Sequence, residues 1–301
     1  MKINKKHFRK IVIILIFALV ISFVYYLFFF EPYYKGSISS ERTLLIAHRG
    51  FGNYAPDNSF SAVEKAISYG LDGVDLDAQW TLDEELVIFH DPTLERLTDG
   101  TGRVKDKTLT ELKNFDIGYK FHENYTGERI LTLGEMIRKV DKRTLLIIEL
   151  KSGKIKSEGI EEKAIKEIQE NNAYDNVYLS SFNPFIIYRI EKLDSKVNTV
   201  FIFRDIEPYD PTQFANIPFV LKKEPFRRAI RKMIRPDFLS LEITVHEDTI
   251  KNLQQRGYPI FLWPPNNKEE IKDSLNKKSF GIISDEPMLM LNLSEGKKWI
   301  N

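Results

Sequence analysis

The chain has 301 residues, 43% of them hydrophobic, with no cysteine and a net charge of +1. That length and apolar content suit one large α/β domain with a sizeable core. The missing cysteines exclude disulfides and thiolate metal sites, and the near-neutral balance argues against a generally basic nucleic-acid binder.

The charge is unevenly placed. Lys2, Lys5, Lys6, Arg9 and Lys10 crowd the first ten residues, which leaves 39 basic against 43 acidic residues in the remainder. Residues 11–30 then form an apolar run without a charge. As a helix, such a run spans about 30 Å, the hydrocarbon thickness of a bilayer. It is longer than the apolar stretch of a signal peptide and ends in Phe28-Phe29-Phe30-Glu31, with no small-residue cleavage site. The sequence therefore predicts an uncleaved transmembrane anchor after a basic cytoplasmic segment, residues 1–10. The excess of lysine and arginine before the span places the N-terminus inside and the rest of the chain outside. Residues 31–42 read as a polar linker, and 43–301 as one barrel domain.

From Thr43 onward, apolar runs alternate with helical patterns. Strands are expected at 44–47, 73–78, 145–150, 177–181, 198–203, 237–241, 259–263 and 281–284, with a return strand at 86–89. Helical patterns include 59–69, 133–140, 160–171 and 184–193. Eight such alternations predict a TIM-type (β/α)8 barrel, an α/β fold whose sites gather at the C-terminal strand ends. An open doubly wound sheet would usually carry a glycine-rich phosphate loop after its first strand, and His48-Arg49-Gly50 is not one. The long polar and aromatic stretch at about 99–130 interrupts the alternation and reads as an inserted cap.

The chemistry-bearing residues fall where strands end. Asp75 and Asp77 alternate with Val74 and Leu76, so both acids share one strand face. A hairpin centred on Asp83-Glu84 would set His90 opposite Asp77. Glu149 and Lys151 repeat the pattern after Ile147-Ile148. Taken alone, the acids could simply cap exposed strand ends, and Arg49 could simply pair with one of them. Together, two histidines, three acids and two cations suit phosphate-ester chemistry. The acids need a neutralising cation, Arg49 and Lys151 suit anionic oxygens, and the histidines titrate near neutral pH. Residues 222–235, KKEPFRRAIRKMIR, form a basic amphipathic stretch. It reads first as a barrel helix with a solvated basic face, and second as a surface for an anionic membrane.

The ordered set His48-Arg49, Asp75-Leu76-Asp77, His90-Asp91 and Glu149-Leu150-Lys151 resembles the glycerophosphodiester phosphodiesterase family, whose pattern is HR, E-x-D, HD and E-x-K. Ala55-Pro56-Asp57-Asn58-Ser59 is similar to its P-E-N-T, and the segment from His90 to Arg96 to its H-D-x-x-L-x-R. Trp263 and Ser284-Asp285-Glu286-Pro287 follow in family order, so the resemblance covers about residues 44–290. It implies a barrel with an insertion after the HD strand and a divalent cation, calcium or magnesium, on Asp75, Asp77 and Glu149. It implies acid–base catalysis by His48 and His90, and phosphate contacts from Arg49 and Lys151. Phe182 and Trp263 are candidate pocket walls. The implied reaction is hydrolysis of a glycerophosphodiester to sn-glycerol 3-phosphate and an alcohol. The alternatives are a lysophospholipase D-type activity on membrane lipids and a catalytically weak barrel that binds phosphorylated ligands. Asp75 stands where the family has Glu, Asp57 replaces the Glu of P-E-N-T, and Pro264-Pro265-Asn266 departs from the pattern after the tryptophan.

Overall fold

The computed structural model describes residues 5–31, 33–34, 40–204 and 223–295. Helix α1 (Lys5–Phe28) comes first. The barrel follows as β1 (Leu44–His48), α2 (Phe60–Ser68), β2 (Gly73–Trp80), β3 (Leu86–Ile88), the short α3 (Leu109–Leu112), α4 (Leu133–Val140), β4 (Leu145–Leu150), α5 (Ile160–Glu170), β5 (Val177–Ser181) and α6 (Pro184–Leu193). It continues through β6 (Asn198–Phe203), α7 (Glu224–Ile234), β7 (Phe238–Glu242), α8 (Glu247–Gln255), β8 (Ile260–Trp263), α9 (Lys268–Asn276), β9 (Gly281–Ser284) and α10 (Pro287–Glu295).

Eight of the strands run parallel, and β1 pairs with both β9 and β2, which closes the barrel. β3 lies outside the closed ring, antiparallel to β2. Period-2 alternation divides the apolar residues into two layers. Ile46, Ile147, Val200, Phe238, Phe261 and Ile283 fill the barrel interior. Alternate residues such as Leu45, Val74, Leu76, Ile148 and Leu179 pack outward against the helices. With the lower interior plugged by hydrocarbon, His48, Asp75, Asp77 and Glu149 gather toward the C-terminal strand ends. The helix starts are written in the sequence. Ser59 accepts from the Ala62 amide, and Thr132 with Glu135 forms a reciprocal capping box.

The inserted segment has its own small core of Val87, Phe89, Leu94, Val104, Leu112, Ile117 and Ile130. Glu128 fastens it to the barrel by accepting from the Phe60 amide at 3.1 Å, near the start of α2.

One expectation is corrected. The β2–β3 ladder pairs Ala78 with Ile88 and Trp80 with Leu86, so Phe89 faces Asp77, with its amide on the Asp77 carbonyl at 2.9 Å. The turn centres on Asp83, one half-step earlier than expected. Thr81 Oγ1 accepts from the Glu85 amide at 2.9 Å, and Glu84 takes a left-handed φ of 57°. A one-residue slip exchanges strand faces. Phe89 is therefore buried in the insert core, and His90 lies just past the ladder.

The basic stretch also differs from its first reading. Lys222 lies outside the described residues, but Arg227 and Arg231 on α7 are buried. Arg227 lies over the Phe203 ring at 5.0 Å, and Arg231 is turned inward because the chain below α1 docks there. The Glu31 carboxylate, at the start of the expected linker, accepts from Arg231 Nη2 at 2.6 Å, Arg228 Nε at 3.0 Å and the Tyr258 hydroxyl at 3.1 Å. Arg228 Nη1 donates to the Phe28 carbonyl at 2.7 Å and Lys232 Nζ to that of Leu27 at 3.1 Å. These are terminal helix carbonyls without intrahelical partners, where a cation is favourable. The rings of Phe28 and Phe226 meet edge-on at 5.0 Å.

Candidate active site

Strand register assembles the site. β1 and β2 pair His48 with Asp75, and β2 and β4 pair Asp77 with Glu149. Four side chains that are distant in sequence are thus neighbours at one end of the barrel. Asp75 and Asp77 do share one face, and Lys151 continues that face beyond β4.

His48 Nδ1 lies 2.6 Å from Asp285 Oδ1, and its Nε2 lies 3.8 Å from Asp75 Oδ2. Burial opposes the charged ring, but the bond to Asp285 and the charges of Asp285 and Asp75 outweigh it and raise the pKa of His48. Burial likewise works against ionised Asp285, yet His48 and Asn266 bring its pKa down to about 2. Asn266 Nδ2 donates to Asp285 Oδ2 at 2.7 Å. The loop after β1 approaches this pair closely. A side chain on Gly52, whose φ is +54°, would overlap the Asp285 carbonyl.

Asp77 is almost fully enclosed. Its Oδ2 accepts from Asn58 Nδ2 at 2.9 Å, and its Oδ1 lies 3.0 Å from Lys151 Nζ. Lys151 also reaches Glu149 Oε1 at 3.3 Å. Burial penalises the Lys151 ammonium, but Asp77 and Glu149 raise its pKa, so it stays charged. Asp75 has no such partner. Burial, reinforced by the charges of Asp77 and Glu149, pushes its carboxyl upward despite His48.

Arg49 and His90 stand on the other side of the β2 end. Arg49 Nη2 is 3.0 Å from His90 Nε2, and its Nη1 donates to Asp57 Oδ2 at 3.2 Å. His90 Nδ1 is 2.7 Å from Asp91 Oδ1. A cavity of about 40 Å³ at the barrel mouth is lined by His48, Asp75, Glu149, Phe182 and Trp263 together with Ile202, Ser240 and Ile283. The rings of Phe182 and Trp263 meet edge-on at 5.7 Å. Arg49 Nε and Trp263 Nε1 are buried donors without a hydrogen-bond partner among the described residues.

The structure thus brings His48, Asp75, Glu149, Phe182 and Trp263 onto one cavity. Asp77 and Lys151 lie behind it, and Arg49 and His90 lie beside it. Sequence reasoning gave no role to Asn58, Arg96, Asn266 or Asp285. Their only signal was membership of matching motifs, since their partners Asp77, Asp57, Asp285 and His48 come close only in the fold.

Lys151 bridges Asp77 and Glu149 while Asp75 stands beside His48, so the three carboxylates supply oxygen donors with excess negative charge, a composition that fits a hard divalent cation. Among the described residues no three His, Asp or Glu side chains are already drawn together as a metal-holding group. Lys151 takes that place between Asp77 and Glu149.

Comparison with known proteins identifies the family. The model of the glycerophosphoryl diester phosphodiesterase family matches residues 48–289. A glycerophosphodiester phosphodiesterase of Caldanaerobacter subterraneus subsp. tengcongensis is 35% identical over 255 residues, covering 84% of this chain and 98% of that protein. Another, from Bacillus altitudinis, is 30% identical over 259 residues, covering 85% and 100%. A phosphodiesterase of Oleispira antarctica, solved in complex with the product sn-glycerol-3-phosphate, has the same fold. It superposes with a TM-score of 0.70 at 23% identity, over 84% of this chain and 97% of that one. The chain belongs to the glycerophosphoryl diester phosphodiesterase family and is an enzyme of that activity.

Proposed function

We propose that this enzyme hydrolyses glycerophosphodiesters to sn-glycerol 3-phosphate and an alcohol, with His48 and His90 moving the protons beside a carboxylate-bound divalent cation. The supporting observation is the matched pair of histidines. Each has Nδ1 on its own carboxylate, Asp285 at 2.6 Å and Asp91 at 2.7 Å. That fixes each ring with Nε2 turned to the reacting groups, His90 Nε2 once Arg49 releases it. One histidine takes the proton of the attacking water, or of a substrate hydroxyl whose cyclic ester water then opens, as the new O–P bond forms. The other protonates the departing alcohol oxygen as the P–O bond breaks.

Asp75, Asp77 and Glu149 would hold the cation, calcium or magnesium, which when bound draws negative charge from the phosphoryl oxygens. Arg49 and Lys151 bind the phosphate, Arg49 with its unused buried Nε. Phe182 and Trp263 form the apolar wall of the pocket. Helix α1 is the one helix among the described residues long and apolar enough to cross a membrane, with a mean hydropathy of 3.0 over an 18-residue stretch. Read as a single-pass anchor with its basic end in the cytoplasm, it sets the barrel on the outer side of the cell membrane. Deacylated phospholipids are the favoured substrates. The tether favours lysophospholipids as a second class, by bringing the mouth near lipid.

The test is release of glycerol 3-phosphate from a panel of glycerophosphodiesters in calcium, magnesium or manganese, with and without chelator. The reading predicts metal-dependent release that is lost in His48→Ala and His90→Ala. No release from any substrate in any metal would defeat it.

A further inference from the structure

Arg49, Asp57, Arg96, Asp91 and His90 close a ring of hydrogen bonds at the barrel mouth. Arg96 Nη2 donates to Asp57 Oδ2 at 2.9 Å, the same oxygen that Arg49 Nη1 reaches at 3.2 Å. Arg96 grips Asp91 with two donors, Nε to Oδ2 at 2.5 Å and Nη2 to Oδ1 at 3.0 Å. Asp91 Oδ1 meets His90 Nδ1 at 2.7 Å, and His90 Nε2 meets Arg49 Nη2 at 3.0 Å.

The donor inventory fixes the protons in this ring. A guanidinium only donates, so His90 Nε2 must accept from Arg49. The ring proton of His90 is therefore on Nδ1 and points to Asp91. Burial acts against an ionised Asp91, but the bonds from His90 and Arg96 hold its carboxyl well below the usual range. Asp91 thus remains an acceptor, as this tautomer requires. Neither Arg96 nor Asp57 lines the cavity where Asp75 and Glu149 meet.

We propose that Arg96 and Asp57 are positioning residues for the reaction. Arg96 fixes Asp91, and through it the Nδ1–H tautomer of His90, while Asp57 couples this pair to Arg49. In the free enzyme Arg49 covers His90 Nε2. When a substrate phosphate draws the guanidinium away, Nε2 is released with its tautomer already set. Arg49 has a buried, unpartnered Nε to offer that anion. A planar fork can hold Asp91 with two donors and still reach Asp57, whereas a lysine offers a single point charge. The inference rests on the reading that His90 moves a proton, and its test has a readout that does not depend on activity.

The full chain in detergent micelles, labelled with ¹⁵N-histidine, carries only five histidines, and His90→Gln identifies the resonance of His90. The wild-type ring is expected as the Nδ1–H tautomer, shifting to a mixture in Arg96→Ala. Arg96 is half exposed, so its truncation spares the core. In the same variant kcat is expected to fall by about 10–100-fold with KM within about 3-fold. Arg96→Lys recovers little, because the fork is gone. Asp57→Asn raises KM as well, because the charge-assisted bonds that place Arg49 and Arg96 on Asp57 Oδ2 are weakened, and Asp57→Glu retains most of both parameters. An unshifted His90 tautomer in Arg96→Ala, or an unchanged kcat, would overturn the proposal. A wild-type enzyme that releases no product would defeat the activity reading instead, and the tautomer measurement would still decide this one.

Discussion

Two arginine–carboxylate networks in this molecule use the same chemistry for opposite ends. At the seam between α1 and the barrel, Glu31 joins Arg228 and Arg231, and the side chains of Glu31 and Arg231 are 2% and 0% exposed. At the mouth, Arg96 joins Asp57 and Asp91 with its own side chain 48% exposed. Ion pairs sealed from water cannot lose one partner cheaply, because the charge left behind stays desolvated. Pairs open to water contribute little stability, yet they can still aim a side chain. The seam network therefore holds two parts of the chain together, and the mouth network sets the direction of a proton. Variants in the two should separate stability from rate.

The largest effect is expected at the mouth. His90→Ala opens the ring and removes a proton carrier. Release of glycerol 3-phosphate should fall by about 10³-fold, with a melting temperature within about 2 °C of wild type. A variant keeping a tenth of the activity would show that His90 is not a proton carrier. The converse holds at the seam. Glu31→Ala leaves Arg231 with Glu224 as its one carboxylate among the described residues, at 2.5 Å, and Arg228 without its nearest carboxylate. A loss of about 3–5 kcal/mol is expected, seen in micelles as a melting temperature lower by about 6 °C or more, with kcat within about 2-fold. Equal melting curves would mean that the seam carries no stability.

A third network contains acids and no arginine, and it sharpens the comparison. Glu191 and Asp237 share the hydroxyl of Thr199. Burial, and then the neighbouring Asp237, push the Glu191 carboxyl up to about 7 despite the Thr199 bond. With no cation beside it among the described residues, the pair is satisfied by a proton. The folded state binds that proton more tightly than the unfolded state, so stability from this group falls as pH rises. The contribution is complete below the unfolded carboxyl pKa of about 4.3 and is lost as pH passes through about 7. Glu191→Gln should flatten the melting temperature between pH 5 and 8, measured against the wild-type slope over about that range. An identical slope in both proteins would remove the shared proton from the account.

How much of this was legible follows from the range of each signal. The eight barrel strands were readable because apolar runs ending in polar residues mark parallel strands that empty into a site. The candidates Asp75 with Asp77, and Glu149 with Lys151, were legible because period-2 alternation fixes their face, and His48 because an apolar run ends on it. The β2–β3 register was missed by one residue, because a single hydroxyl, Thr81 Oγ1, sets the length of the turn. Neither arginine network could be read. Glu31 and Arg231 are 200 residues apart, and the pattern of α7 looked like a solvated face because its partner is remote. Arg96 and Asp57, 39 residues apart, meet only after β1 and β2 have paired.

The weakest pair completes the series. Glu247 and Lys251 stand one turn apart on α8, with Nζ and Oε1 at 2.8 Å and both side chains 59% exposed. The order is the favourable one, acid toward the helix N-terminus. Even so, water solvates both charges in either state, and salt screens what attraction is left. Lys251→Ala is expected to leave the melting temperature within about 1 °C of wild type. Raising the ionic strength should remove even that difference, while the deficit of Glu31→Ala should persist, because no ion enters the space that Glu31 and Arg231 occupy. A Lys251→Ala loss as large as that of Glu31→Ala would mean that burial is not what divides these networks.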